Sequence, residues 1–200
     1  MEICGVILAG GQGTRAGGRD KALMRLGGRS LLARAVERLS PQVAALALNA
    51  NGDPARFSGA GLPVVPDTVP GQPGPLAGIL AGMDWAAGRG ADAIVTVAVD
   101  TPFFPCDLVP RLHLATETAH APIALATSHG RPHPTFGLWS VALREDLRAA
   151  LAQGTRRVRL WAEAHGAVMA EFPAGRIDPF FNINTPEDLA QAEALLQAVN

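Results

Sequence analysis

Two apolar runs constrain this chain more than anything else in it: Ile3–Ala9 and Ala93–Val99. Each is strand-sized, and neither alternates with polar residues. One stops at Gly10 and the other at Asp100. A strand that is apolar on both faces must be covered on both faces, which means a largely parallel sheet sandwiched by helices. The intervening sequence fits. Leu31, Leu32, Ala35, Val36 and Leu39 fall at helical spacing, with Ser30 as N-cap. Val43–Leu48 and Leu62–Val65 read as strands, and Leu76–Ala87 as a helix ending near Gly88. The fold expected is α/β: a three-layer, open, mostly parallel, Rossmann-like sheet with helices on both faces.

Beyond Asp107 the pattern predicts a helix to Thr116 and strands over Pro122–Thr127 and Thr135–Leu138. Helices follow over Val141–Leu151 and Arg156–Ala164, with a strand over Ala167–Phe172 between them and the C-terminal helix. That last helix carries strong start signals: Thr185 as N-cap, Pro186 at the first position, then Glu187 and Asp188. Its apolar stripe is Leu189, Ala192, Leu196 and Val199. Neither a repeat nor a linker interrupts the pattern, so a single domain over 1–200 is expected.

Charge excludes some partners. The 17 Lys and Arg nearly balance the 18 Asp and Glu. A surface built for nucleic acid or acidic membranes would be strongly basic. No run approaches the roughly 20 apolar residues of a membrane span, and no secretory pattern opens the sequence. Only two cysteines are present, too few for a disulfide framework, so a reducing, cytoplasmic setting is expected.

The exception to that balance lies just after the first strand. From Gln12 to Arg29 five basic residues (Arg15, Arg19, Lys21, Arg25, Arg29) accompany one acid, Asp20. They sit within Gly10-Gly11-Gln12-Gly13, where backbone N–H groups can approach an anion closely. Ligands of open α/β sheets bind outside the carboxyl ends of the strands, so a polyphosphate is the natural partner. A P-loop is excluded, because Lys21 lies between Asp20 and Ala22 rather than in Gly-Lys-Ser/Thr. Gly11-x-Gly13-x-x-Ala16 fits the loose dinucleotide pattern, but strand two ends in Asn49 rather than an acid. That reading, and a glycine-rich surface turn with solvated arginines, stay open on these residues alone.

The segment LAGGQGTRAGGRDKAL resembles the nucleotidyltransferase loop of molybdenum cofactor guanylyltransferases. The resemblance continues in order through Asn49-Ala50-Asn51, Asp67, Pro73-Gly74-Pro75-Leu76-Ala77-Gly78 and Asp100-Thr101-Pro102. It then runs through Arg131-Pro132-His133-Pro134-Thr135, Arg156-Arg157-Val158 and Asn182-Ile183-Asn184-Thr185-Pro186. Ala16 departs from the methionine usual there. The resemblance implies transfer of GMP from GTP to the terminal phosphate of molybdopterin, with or without bound molybdenum, and release of pyrophosphate. It divides the chain into a nucleotide-binding half, 1–105, and an acceptor-binding half, 106–200. Leu8, Ala9, Gly10, Gly11, Lys21, Asn49, Asp67 and Asp100 would line the nucleotide site. Lys21, Arg15 and Asp100 would be catalytic, and Gly78, Arg157, Asn182 and Asn184 would face the acceptor. Transient contact with cofactor-synthesis proteins or molybdoenzymes is a further expectation. The sister family that transfers CMP has a loop closer to LAAG, so GTP is favoured over CTP. A sugar-phosphate nucleotidyltransferase and a silent nucleotide-binding regulatory module are the remaining alternatives.

Asp100 ends the expected central strand opposite the basic loop, where a carboxylate can hold Mg²⁺; the resemblance assigns it as the metal ligand. Capping of its own turn is the other reading. The five histidines show no ligand spacing, Cys4 reads as buried and Cys106 as packing, and no Ser-His-Asp order stands out. A phosphate acceptor needs none of these, since its second pKa is about 6 and it is already anionic near neutral pH.

Overall fold

The computed structural model describes residues 1–10, 20–71, 74–173 and 175–198. A seven-stranded sheet is built from β1 (Ile3–Leu8), β4 (Ala45–Asn49), β5 (Val64–Val65), β6 (Ala93–Ala98), β7 (Ile123–Ser128), β8 (Arg131–Ser140) and β9 (Val168–Glu171). Its order is β5-β4-β1-β6-β8-β7-β9. All neighbours pair in parallel except β8, which runs antiparallel to both β6 and β7. Strands from both halves of the chain thus share one open, mostly parallel sheet, as expected.

Period-two alternation in β1 explains the layers. Ile3 and Ile7 point into a core with Leu32, Ala35 and Leu39 of α1 (Leu31–Leu39) and Leu108, Val109 and Leu112 of α3 (Leu108–Ala119). Cys4 and Val6 point the other way, into a core with α2 (Pro75–Ala87), α4 (Arg144–Ala152) and α5 (Val158–Ala164). The helix expected from Val141 begins instead as a 3-10 turn, Val141–Leu143, and becomes α-helical at Arg144.

β8 is longer than the Thr135–Leu138 strand expected. Its first residues include Pro132 and Pro134, which lack the N–H a central strand must donate. The fold places them where β8 has left β6: that pairing covers only Gly137–Ser140, and a bulge between Leu125 and Ala126 takes up the irregularity.

Residues 25–30, read as part of the basic loop, form a hairpin: β2 (Arg25–Leu26) and β3 (Arg29–Ser30), joined by Gly27 and Gly28. Both glycines have positive φ, 56° and 78°, the requirement of a tight two-residue turn. The Gly27 N–H donates to the Glu193 carboxylate at 2.8 Å, docking the hairpin on α6 (Pro186–Gln197). Leu26, Leu31, Ile183 and Ala192 form a small core beneath it. α6 opens with the expected Thr185 cap, reinforced by the Asp188 carboxylate, which accepts from the Asn184 and Thr185 N–H groups. Those two backbone donors hold the Asp188 carboxyl below the usual carboxylate range. Val199 of the expected stripe lies outside the described residues. Among the described residues no helix is long and apolar enough to cross a membrane.

Candidate active site

A cleft of about 330 Å³ opens along the carboxyl edge of the sheet, lined by residues from the ends of β1, β4 and β6 and by segments that cross above them. Leu8 and Gly10 follow β1, Asn49 ends β4, Asp67 follows β5, and Ala98 and Asp100 end β6. Gly74 and Pro75 bring the N-terminus of α2 to the wall, where the helix dipole favours an anion. Gly74 has φ 83° and ψ −163°, a conformation essentially restricted to glycine.

Lys21 is delivered by a short 3-10 turn, Lys21–Leu23. Asp20 caps that turn, its Oδ1 accepting from the Ala22 N–H at 3.0 Å. The Lys21 Nζ donates to Asp100 Oδ2 at 2.9 Å and to Asn184 Oδ1 at 2.7 Å. The Lys21 and Asp100 side chains are 24% and 18% exposed. The pair is therefore partly shielded, and solvent weakens it less than it would a surface pair. Among the described residues the Asp100 carboxylate takes its hydrogen bond from Lys21, not from an N–H of its own turn. Its backbone carbonyl accepts from the Ile183 N–H at 2.8 Å, which ties the acceptor-side segment to the end of β6.

That tether orients the two asparagines. Ile183 is buried in the small core, while Asn182 and Asn184 on either side of it are exposed. Asn182 lines the cleft and Asn184 reaches Lys21. Alternation along an extended segment puts both amides on one side.

A second polar cluster stands where β4 and β5 end. Asp67 Oδ1 accepts from Asn49 Nδ2 at 2.9 Å and Oδ2 from Asn51 Nδ2 at 2.8 Å. The Asp67 N–H returns a bond to Asn51 Oδ1 at 2.9 Å. Asn49 also donates to the Val65 carbonyl at 3.0 Å. Each Asp67 oxygen keeps further acceptor capacity toward the cleft. Gly78 lies buried in α2 behind this cluster and is not on the cleft wall; a Cβ there would overlap the Asn49 side-chain oxygen. Its absence of a side chain makes room for Asn49. Arg157 is exposed at the N-terminus of α5 and does not line the cleft. Gly11 and Arg15, and the Gln12–Arg19 part of the basic loop, lie outside the described residues.

Two contributors escaped sequence reasoning. Thr135 joins the wall because β8 inserts beside β6. Asn51 buttresses Asp67; the signal for it was the second asparagine of Asn49-Ala50-Asn51. Cys4 is buried, and burial pushes its thiol pKa up. Cys106, expected to pack, is instead exposed, with Arg38 Nη1 3.3 Å from its sulfur. Among the described residues no three His, Cys, Asp or Glu side chains converge as a metal cage.

The fold is that of nucleotidyltransferases. It matches molybdopterin-guanine dinucleotide biosynthesis protein A from Archaeoglobus fulgidus with TM-score 0.75 at 24% identity, covering 98% of this chain and 99% of that one. It also matches 4-diphosphocytidyl-2C-methyl-D-erythritol synthase from Anaerococcus prevotii, TM-score 0.73 at 14% identity, over 98% and 96% of the two chains. The MobA-like NTP transferase domain matches residues 5–192, and the chain belongs to that family. It is 57% identical over 197 residues to a molybdenum cofactor guanylyltransferase of Cereibacter sphaeroides, covering 98% of each protein. A protein of the same name from Mesorhizobium japonicum is 53% identical over 203 residues, covering 99% of this chain and 98% of that protein.

Proposed function

We propose that this protein transfers GMP from GTP to the terminal phosphate of molybdopterin, in the cytoplasm, releasing pyrophosphate. The observation that carries the reading is the contact of Lys21 with both Asp100 and Asn184 at the cleft. It joins a phosphate-binding cation, a strand-end carboxylate and an acceptor-side amide within one side chain's reach. The names of the full-length relatives support guanylyl transfer in molybdenum cofactor synthesis.

Chemically, an acceptor phosphate oxygen bonds to the α-phosphorus of GTP as the bond to the β-phosphate oxygen breaks. The acceptor is already anionic near neutral pH, so no general base is required. Catalysis then rests on alignment and on stabilising negative charge. Lys21 supplies a cation to the phosphates, and the α2 N-terminus offers oriented backbone donors. Asn182 and Asn184 orient the acceptor. Asp67, held by Asn49 and Asn51, can accept from guanine N1–H and its exocyclic amine, a donor pair cytosine lacks.

The donor set fits Mg²⁺ bound mainly by phosphate and water. Asp100 is a hard oxygen ligand on the cleft wall, and Mg²⁺ commonly takes only one or two carboxylates. When bound, the ion would neutralise phosphate charge.

The test is pyrophosphate release with molybdopterin and Mg²⁺, comparing GTP, CTP and ATP, with calorimetry of each nucleotide and of NAD. Turnover with GTP well above CTP is expected. Equal turnover of the two would overturn the base assignment, and binding of NAD without GTP would overturn the reaction.

A further inference from the structure

The turn carrying Lys21 is fastened on its far side by a residue that plays no part in the chemistry above. Asp20 caps the turn with Oδ1, and its Oδ2 lies 3.3 Å from Arg56 Nε. The same guanidinium donates through Nη2 to the Asn51 carbonyl at 2.5 Å. Its plane sits over the Phe57 ring, 4.6 Å from the centroid, and Phe57 is buried in the core. Arg56 is presented by a seven-residue 3-10 segment, Pro54–Ala60, whose start is capped by Asp53.

We infer that Arg56 is a positioning residue for Lys21: it fixes the distance between the phosphate-binding turn and the Asn51–Asp67 cluster that faces the base. The inference rests on the guanylyl-transfer reading. The path is continuous: Lys21 follows Asp20, Asp20 pairs with Arg56, Arg56 grips Asn51, and Asn51 both donates to and accepts from Asp67. Arginine suits this place because one rigid fork meets a carboxylate and a carbonyl at once. Lysine could keep one of those partners but not both.

Turnover is measured as pyrophosphate release from GTP with molybdopterin and Mg²⁺, in the unaltered protein, Arg56→Gln, Arg56→Lys, Lys21→Ala and the Arg56→Gln/Lys21→Ala double variant. Arg56→Gln is expected to lower kcat by about 10- to 100-fold, the scale of a misplaced catalytic group. The KM for GTP should move by less than about threefold, since ground-state binding is largely kept. Arg56→Lys should recover part of the loss. The double variant should fall no further than Lys21→Ala alone, within about twofold, because residues acting as a unit are not additive.

Asp20→Asn is the second variant, since its amide oxygen still caps Ala22 while the charge facing Arg56 is gone. It should show the same fall in kcat and the same non-additivity. An unchanged kcat in Arg56→Gln and Asp20→Asn, or losses that multiply with Lys21→Ala, would overturn the inference alone. An unaltered protein that releases no pyrophosphate would overturn it together with the guanylyl-transfer reading.

Discussion

Lys21 Nζ lies 2.9 Å from Asp100 Oδ2, although 79 residues separate the two in sequence. One stands on the turn that follows the basic loop and the other at the end of the strand beside β1. Each supplies what the other cannot. The ammonium attracts phosphate oxygens, and the carboxylate attracts a divalent cation. In the absence of ligands they neutralise one another, so neither is left as an isolated, half-buried charge.

Removing either member should therefore disable transfer without unfolding the protein. Lys21→Ala and Asp100→Asn are each expected to lower kcat by about 100- to 1,000-fold, the scale of losing one preorganised electrostatic contact. Pyrophosphate release at saturating GTP reads the effect. Turnover within a few-fold of the unaltered protein would remove that residue from the mechanism.

Gly78→Ala tests the packing behind the base-facing cluster. The new methyl would strike the Asn49 side chain, whose Nδ2 holds Asp67. Asn49 is 2% exposed and has little room to retreat. Overpacking of this kind costs about 1–3 kcal/mol. The thermal midpoint should drop, and calorimetry should show GTP affinity reduced by about tenfold or more, since about 1.4 kcal/mol is a factor of ten. Unchanged affinity would mean that Asn49 and Asp67 do not contact the nucleotide.

His133 gives a pH signature. Its ring stacks on Phe180 at a centroid distance of 4.2 Å, with Nε2 2.8 Å from Ser128 Oγ. Burial lowers its pKa below the ordinary value. The folded protein then binds this proton less readily than the unfolded chain. Stability from this group is complete above the unfolded value of about 6.5 and declines as pH falls through it toward the folded value. The thermal midpoint of His133→Gln should therefore fall less steeply than that of the unaltered protein between about pH 7.5 and 5. Parallel slopes would contradict the assignment.

Much of this arrangement was legible in the sequence because strand ends carry their own markers. Apolar runs stopping at Gly10, Asn49 and Asp100 placed three cleft residues at one edge of the sheet before any coordinates. Buried Ile183 between two exposed asparagines followed from strand alternation. What could not be read was set by long-range pairing. β8 lies between β6 and β7 out of chain order, and nothing local in Arg131–Ser140 announces its antiparallel direction. The Gly27-Gly28 hairpin was missed because its strands are two residues long and carry Arg25 and Arg29. Arg56 is a single cation on a short turn, and its partners lie 36 and five residues away.

The central claim is that Lys21 and Asp100 serve the same triphosphate. A crystal structure of the protein with GTP and Mg²⁺ tests it most directly. The account predicts Lys21 Nζ in contact with phosphate oxygens and Asp100 on the metal that those phosphates share. A nucleotide bound elsewhere, with the Lys21–Asp100 contact unchanged, would contradict it.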